Sequence, residues 1–135
     1  MKLDAKSTIE TGKAILGIEL GSTRIKAVLI DQENKPIAQG SHTWENQLVN
    51  GLWTYSIDAI WSGLQDCYAD LRSNVKKLYD TELETLAAIG VSAMMHGYMP
   101  FNEKEESSCL SALGEIPIQA VLRQNYPNYL SITSL

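Results

Sequence analysis

The sequence predicts a mixed α/β fold: a small sheet of antiparallel and parallel strands, in the order β-β-β-α-β, with one long helix on one face. Three observations carry that reading. Two runs rich in β-branched residues, Ala14 to Leu20 and Arg24 to Ile30, flank a polar knot, Gly21-Ser22-Thr23. Apolar residues then recur between Ile57 and Leu78 in steps of three and four, the period of an amphipathic helix. A short apolar run after the helix, Leu86 to Ser92, suits a buried strand lying parallel to the first.

Residues 1–13 mix Lys, Asp, Ser, Thr and Glu without period and read as a flexible lead-in, so structure is expected to start near Ala14. The knot between the first two runs is short enough to be the tip of a tight hairpin. Asp31-Gln32-Glu33-Asn34-Lys35 is a polar turn, and Pro36 opens a weaker third strand to about Trp44, proline being tolerated at a strand start or edge. Ser56 is a candidate N-cap for the helix, whose stripe is Ile57, Ile60, Trp61, Leu64, Cys67, Tyr68, Leu71, Val75 and Leu78. Such a stripe needs a sheet to cover. No repeat, heptad run, dinucleotide fingerprint or P-loop occurs.

At 135 residues the chain is long enough for one modest domain and short for an enzyme that encloses two substrates between lobes. Lys and Arg total 11 against 16 Asp and Glu, and the net charge of -5 offers no basic surface to nucleic acid or an anionic membrane. Cys67 and Cys109 are too few for a disulfide framework or a zinc site, and the N-terminus lacks the apolar stretch of a signal peptide. No apolar run approaches the roughly 20 residues that span a bilayer. A cytoplasmic protein is the expectation.

The knot has a chemical reading. Gly21, Ser22 and Thr23 are small and offer backbone N–H groups and two hydroxyls, which lets a polyphosphate approach the backbone closely. Glu19, two places ahead, would sit beside those phosphates at the end of the first strand. An acid tolerates an anion there only through a cation, and Mg²⁺ or its waters fit. The same residues also suit an ordinary polar hairpin with Glu19 in solvent, and the stretch alone does not choose.

Leu16-Gly17-Ile18-Glu19-Leu20-Gly21-Ser22-Thr23-Arg24-Ile25-Lys26 resembles the first phosphate loop of the actin, hexokinase and Hsp70 superfamily of ATPases, with its ribonuclease H-like fold, usually written I-G-I-D-x-G-T-[ST]-x-x-K. Ser92-Ala93-Met94-Met95-His96-Gly97 resembles the Q-M-H-G turn of xylulose kinases in the FGGY carbohydrate kinase family. Trp53 and Trp61 are similar to that family's tryptophan-bearing entry to its helix. The resemblance covers residues 14–106, which would be the N-terminal portion of an FGGY kinase domain and hence an incomplete sheet.

The resemblance implies ATP and Mg²⁺ as cofactors and a sugar, a pentulose or related polyol, as acceptor. Gly21, Ser22 and Thr23 would lie near the ATP phosphates, with Lys26 nearby on the second strand. Glu19 matches the position of the family's metal-associated aspartate, with one extra methylene in the loop. Met95, His96 and Gly97 match the sugar-side turn, where the histidine would hydrogen-bond an acceptor hydroxyl. Met94 replaces the glutamine usual in xylulose kinases and removes a polar contact, so D-xylulose does not follow.

Bland readings stand beside these. A lone histidine after a strand is commonly structural, and only the M-H-G context points His96 to a sugar. His42 lacks that context and reads as a surface residue on the third strand. Trp61, Cys67 and Tyr68 lie on the helical stripe and read as core; Trp44 and Trp53 stay open. Lys76 and Lys77 need no partner beyond the helix dipole, and Glu103 to Glu106 with Lys104 is a solvated turn.

The implied chemistry is transfer of the ATP γ-phosphate to a sugar hydroxyl, in which a carboxylate accepts the hydroxyl proton. In these kinases that aspartate lies well downstream of the M-H-G turn, so no catalytic base is expected in this chain, and none of the turnover. Residues 107–135 lose the family pattern. One codon choice for Ser107 to Val121, started two nucleotides later, reads Phe-Val-Pro-Phe-Arg-Thr-Trp-Arg-Asn-Thr-Asn-Thr-Gly-Arg, similar to the family's next segment, so a frameshift near Glu106 or Ser107 is expected. The choice of codons makes such matches easier. A genuine short extension is the other reading of this tail. Two further functional readings remain: a non-catalytic interaction or regulatory module that keeps the front half of the fold, and another enzyme of the superfamily acting on an acid or a different polyol.

Overall fold

The computed structural model describes residues 4–94. Its elements are α1 (Ala5–Glu10), β1 (Ile15–Leu20), β2 (Arg24–Ile30), β3 (Pro36–Thr43), β4 (Gln47–Val49), β5 (Leu52–Thr54), α2 (Ile57–Tyr79) and β6 (Ala88–Ala93). The chain divides into two compact units, one holding residues 1–45 and 58–94, the other holding residues 46–57 of the described chain. The expected order β-β-β-α-β is present in the first unit, with α1 ahead of it. The second unit contributes a small β4–β5 hairpin.

Among the described residues a helix is already present at Ala5, which corrects the expectation of a flexible lead-in up to Ala14. Asp4 caps α1, its carboxylate accepting from the Ser7 N–H at 2.8 Å, and the helix buries Thr8 and Ile9. A helix of six residues is shorter than two turns, so no apolar period can show in its sequence.

The four-stranded sheet runs β3-β2-β1-β6, with β1 and β2 antiparallel, β2 and β3 antiparallel, and β6 parallel to β1. The polar turn between β2 and β3 is closed by Asp31, whose carboxylate accepts from the Glu33 and Lys35 N–H groups. Residues paired across a ladder share a face, so Leu16 with Leu29, Ile18 with Ala27 and Leu20 with Ile25 point the same way, as do Ala27 with Gly40 and Leu29 with Ala38. That apolar face receives α2.

Helix α2 meets the sheet along Gly63, Cys67, Leu71 and Val75, one row at steps of four. Its closest approach is over β3, where a Cβ built on Gly40 would stand 2.6 Å from the Cys67 carbonyl oxygen and 2.8 Å from the Leu71 Cα. Only a glycine lets helix and strand backbones touch there. Trp61, read from the sequence as core, is 61 % exposed. It precedes Gly63 by two residues, a step of about 200° round the helix, which turns it away from the buried row. Cys67 is buried as expected and Tyr68 is half-buried. His42, read from the sequence as a surface residue, is half-buried: it lies against Gly63 of α2, with Nδ1 3.4 Å from the exposed Asp66 carboxylate.

Three polar side chains of α2 also seal the outer edge of β3. Asp70 accepts from the Ser41 N–H at 2.9 Å, Asn74 donates to the Gln39 carbonyl at 2.9 Å, and the Tyr79 hydroxyl donates to the Ile37 carbonyl at 2.6 Å. An edge strand so occupied cannot template another. The helix ends at Tyr79, followed by Asp80 in the left-handed region (φ 48), and Lys76 in the last turn pairs with Asp80 and Glu82.

Strand β6 is where the sequence-based expectation of burial is corrected. Every residue from Ala88 to Ala93 is exposed, Ile89 at 60 % and Val91 at 67 %. The cause is position: α2 lies over β2 and β3, and among the described residues β6 is the far strand of the sheet. In the second unit, Asn50 (φ 53) and Gly51 (φ 79) form the two-residue left-handed turn that matches hairpin twist.

Candidate functional site

The candidate site is built on the β1–β2 hairpin. Gly21 starts its tip, where its N–H donates to the Arg24 carbonyl at 3.0 Å, and a Cβ there would stand 2.8 Å from that same oxygen. The turn therefore requires glycine at this position, and Ser22 and Thr23 follow it exposed to solvent. The knot is the tight hairpin tip that the sequence predicts.

Glu19 and Lys26 face each other across the β1–β2 ladder, on the side of the sheet opposite α2. The Lys26 ammonium lies 3.3 Å from the Glu19 carboxylate, both side chains about half exposed (52 % and 54 %). Glu19 thus already has a cation beside it, supplied by the protein. The two sit at the mouth of an open depression of 440 Å³ floored by Gly17, Val28, Gly90 and Ser92. Gly17 and Gly90 have almost nothing near a would-be Cβ, which keeps that surface shallow and accessible.

The chain leaving β6 reaches the same end of the sheet. Ala93 pairs with Leu20, and the Met94 N–H donates to the Leu20 carbonyl at 3.2 Å. The carboxyl ends of two parallel strands thus lie beside the hairpin tip, the position at which open α/β sheets take ligands. Met95, His96 and Gly97, the residues of the M-H-G turn, lie outside the described residues, as does the segment 107–135.

Sequence reasoning missed Trp44. It is buried, and its indole N–H donates to the Gly21 carbonyl at 2.8 Å while its backbone N–H donates to the Thr23 carbonyl at 3.2 Å. A signal was available: an antiparallel third strand returns its end to the start of the second, and Thr43 pairs with Arg24. Among the described residues no group of three or more His, Cys, Asp or Glu side chains could hold a metal ion. No helix of the described residues is long and apolar enough to cross a membrane.

The profile of the FGGY family of carbohydrate kinases, N-terminal domain, matches residues 14–112. No curated protein sequence matches the chain. Among solved structures, a xyloylose kinase from Brucella ovis superposes with a TM-score of 0.62 at 21 % identity, over 74 % of this chain and 20 % of its own. A gluconate kinase from Lactobacillus acidophilus gives 0.58 at 25 % identity, over 73 % and 19 %. A glycerol kinase from Plasmodium falciparum, crystallised with ADP, gives 0.57 at 14 % identity, over 87 % and 23 %. The likeness shows the fold, the ribonuclease H-like fold of the actin and hexokinase superfamily, and the chain spans about a fifth of the length of these kinases.

Proposed function

The chain belongs to the FGGY family of carbohydrate kinases, and on that premise we propose that it carries the ATP phosphate loop of an enzyme that transfers the γ-phosphate of ATP to a hydroxyl of a pentulose or related polyol. One observation supports this above the rest. The Gly21-Ser22-Thr23 tip, the Glu19–Lys26 pair and the exit of β6 at Met94 lie together at one end of the sheet.

In this reading the Ser22 and Thr23 N–H groups and hydroxyls meet the phosphates, the Gly21 N–H being held by the Arg24 carbonyl, and Lys26 neutralises part of their charge. Glu19 is the carboxylate on the metal. Magnesium commonly takes one or two carboxylates and keeps waters and substrate phosphates as its other ligands, so a single acid beside a phosphate loop fits an ion that arrives with the nucleotide, not a protein-only cage. Magnesium so held would offset phosphate charge during transfer. Met95, His96 and Gly97 are assigned to the sugar side by their motif, with His96 bonding an acceptor hydroxyl. The proton-accepting carboxylate is assigned to sequence beyond this portion of the fold, and the 135-residue chain is expected to bind MgATP weakly and turn over no sugar.

Substitution of Lys26 tests the loop. Lys26→Met removes a pair that is half exposed on both sides and worth little to the fold, so stability should stay within about 0.5 kcal/mol. MgATP binding, read by calorimetry, should weaken by about 5- to 10-fold through loss of a charge-assisted phosphate contact. Equal affinity in parent and variant refutes the assignment. For the domain boundary we propose residues 14–106 as the kinase portion. The family match runs to 112, past the frame change expected near Glu106 or Ser107, and the DNA for residues 106–112 tests that expectation. A third frame with early stops, or without family residues, ends that idea.

A further inference from the structure

We propose that Trp44 is a positioning residue that sets the charge of the phosphate loop, holding two of its carbonyl oxygens away from the ligand. The difficulty of any phosphate-binding turn is that each peptide brings an oxygen as well as an N–H, and an oxygen facing a phosphate repels it. Here the Gly21 carbonyl accepts from the Trp44 indole at 2.8 Å, and the Thr23 carbonyl accepts from the Trp44 backbone N–H at 3.2 Å. Both donors belong to one residue that is 8 % exposed, so the two oxygens they hold are aimed into the protein, toward the end of β3. Gly21 and Thr23 bracket Ser22, so one side chain and its own backbone fix both shoulders of the tip.

The arrangement is specific to tryptophan. Phenylalanine could fill the same space but has no N–H, and would leave the Gly21 oxygen free to turn outward. The backbone donor would persist in any variant, so the indole carries the part that substitution can remove. The inference rests on the phosphate-loop reading above.

The test separates donor from ring. The chain has three tryptophans, and Trp53→Phe with Trp61→Phe leaves Trp44 as the sole indole. In that background MgATP is titrated while Trp44 emission and calorimetric heat are followed in parallel. Trp44→Phe, and replacement of Trp44 by the shape-matched benzothienylalanine, in which sulfur stands for the N–H, are titrated alongside. The expected result is a saturable emission change that follows the heat, and MgATP binding about 3- to 10-fold weaker in both donor-deleted variants, the size of one lost hydrogen bond. The benzothienyl variant should stay fully folded at the titration temperature, its melting point lower by no more than one lost hydrogen bond accounts for, so that weaker binding in it reports the donor and not loss of the fold. It also decides the matter should Trp44→Phe fail to fold. Unchanged affinity in the benzothienyl variant, or heat without any change in Trp44 emission, overturns the clamp alone. No MgATP binding in the parent itself overturns the phosphate-loop reading and the clamp with it.

Discussion

Gly40→Ala is the substitution that most directly tests how α2 is seated. The added methyl would stand 2.6 Å from the Cys67 carbonyl oxygen, 2.8 Å from the Leu71 Cα and closer still to the Leu71 nitrogen. All three are helix backbone, which cannot rotate aside as a side chain can, so α2 must lift off β3. Lifting it loosens Cys67 and Leu71, which are 1 % and 0 % exposed. Overpacking of this kind costs about 1–3 kcal/mol, and the stiffer unfolded chain of an alanine variant returns about 0.4–1 kcal/mol. Rigid backbone on all three sides puts the clash in the upper part of the overpacking range, about 2–3 kcal/mol, so the net loss is about 1–2.6 kcal/mol, or a melting midpoint lower by about 5–20 °C for a domain of this size. Urea unfolding followed by far-UV circular dichroism measures it, with the slope unchanged. Gly90→Ala is the matched control, because nothing lies within 4 Å of its would-be Cβ, and with only the unfolded-chain effect acting it should be unchanged or more stable by up to about 1 kcal/mol. A Gly40→Ala chain as stable as the parent, or a Gly90→Ala chain equally damaged, refutes the seating of α2 described above.

Two further outcomes follow from the same packing. Leu71→Ala removes a fully buried side chain and should cost about 2–5 kcal/mol, whereas Trp61→Ala should change stability by no more than about 0.5 kcal/mol despite its size; denaturation midpoints of the two variants decide. Burial pushes the Cys67 thiol above its ordinary pKa of 9.0, with the Asp70 charge adding to the rise and a backbone hydrogen bond from His42 opposing it. The folded state therefore keeps this proton where the unfolded chain has lost it. Its contribution to stability is full below pH 9.0 and is lost as the pH rises above that. Alkylation of Cys67 in the native chain should be far slower than in urea, and equal rates would count against its burial.

The sheet and long helix were legible because their signals are local. Gly21 interrupts two β-branched runs where the chain must reverse, and the three-and-four spacing from Ile57 onward is a helix whatever surrounds it. The Asn50-Gly51 pair is an equally local hairpin signal, which the order β-β-β-α-β expected from the sequence leaves unused. Helix α1 gave no such signal, being too short for a period. Burial was a different matter. Trp61 and the β6 residues Ile89 and Val91 are as apolar as any core residue, and only the placement of α2 over β2 and β3 shows that they face solvent.

The candidate site divides along the same line. The order of small and charged residues from Glu19 to Lys26 by itself determined which groups the phosphate-loop proposal names, since they are neighbours in the chain or across one short ladder. Tertiary structure alone decided what surrounds them: the Lys26 ammonium on Glu19, Met94 brought to Leu20 by parallel pairing, and Trp44 returned to the hairpin tip by β3. The physical reason is range. Turn geometry and strand period act over a few residues and are written in adjacent side chains, whereas a hydrogen bond from Trp44 to Gly21 exists only once three strands have settled into register.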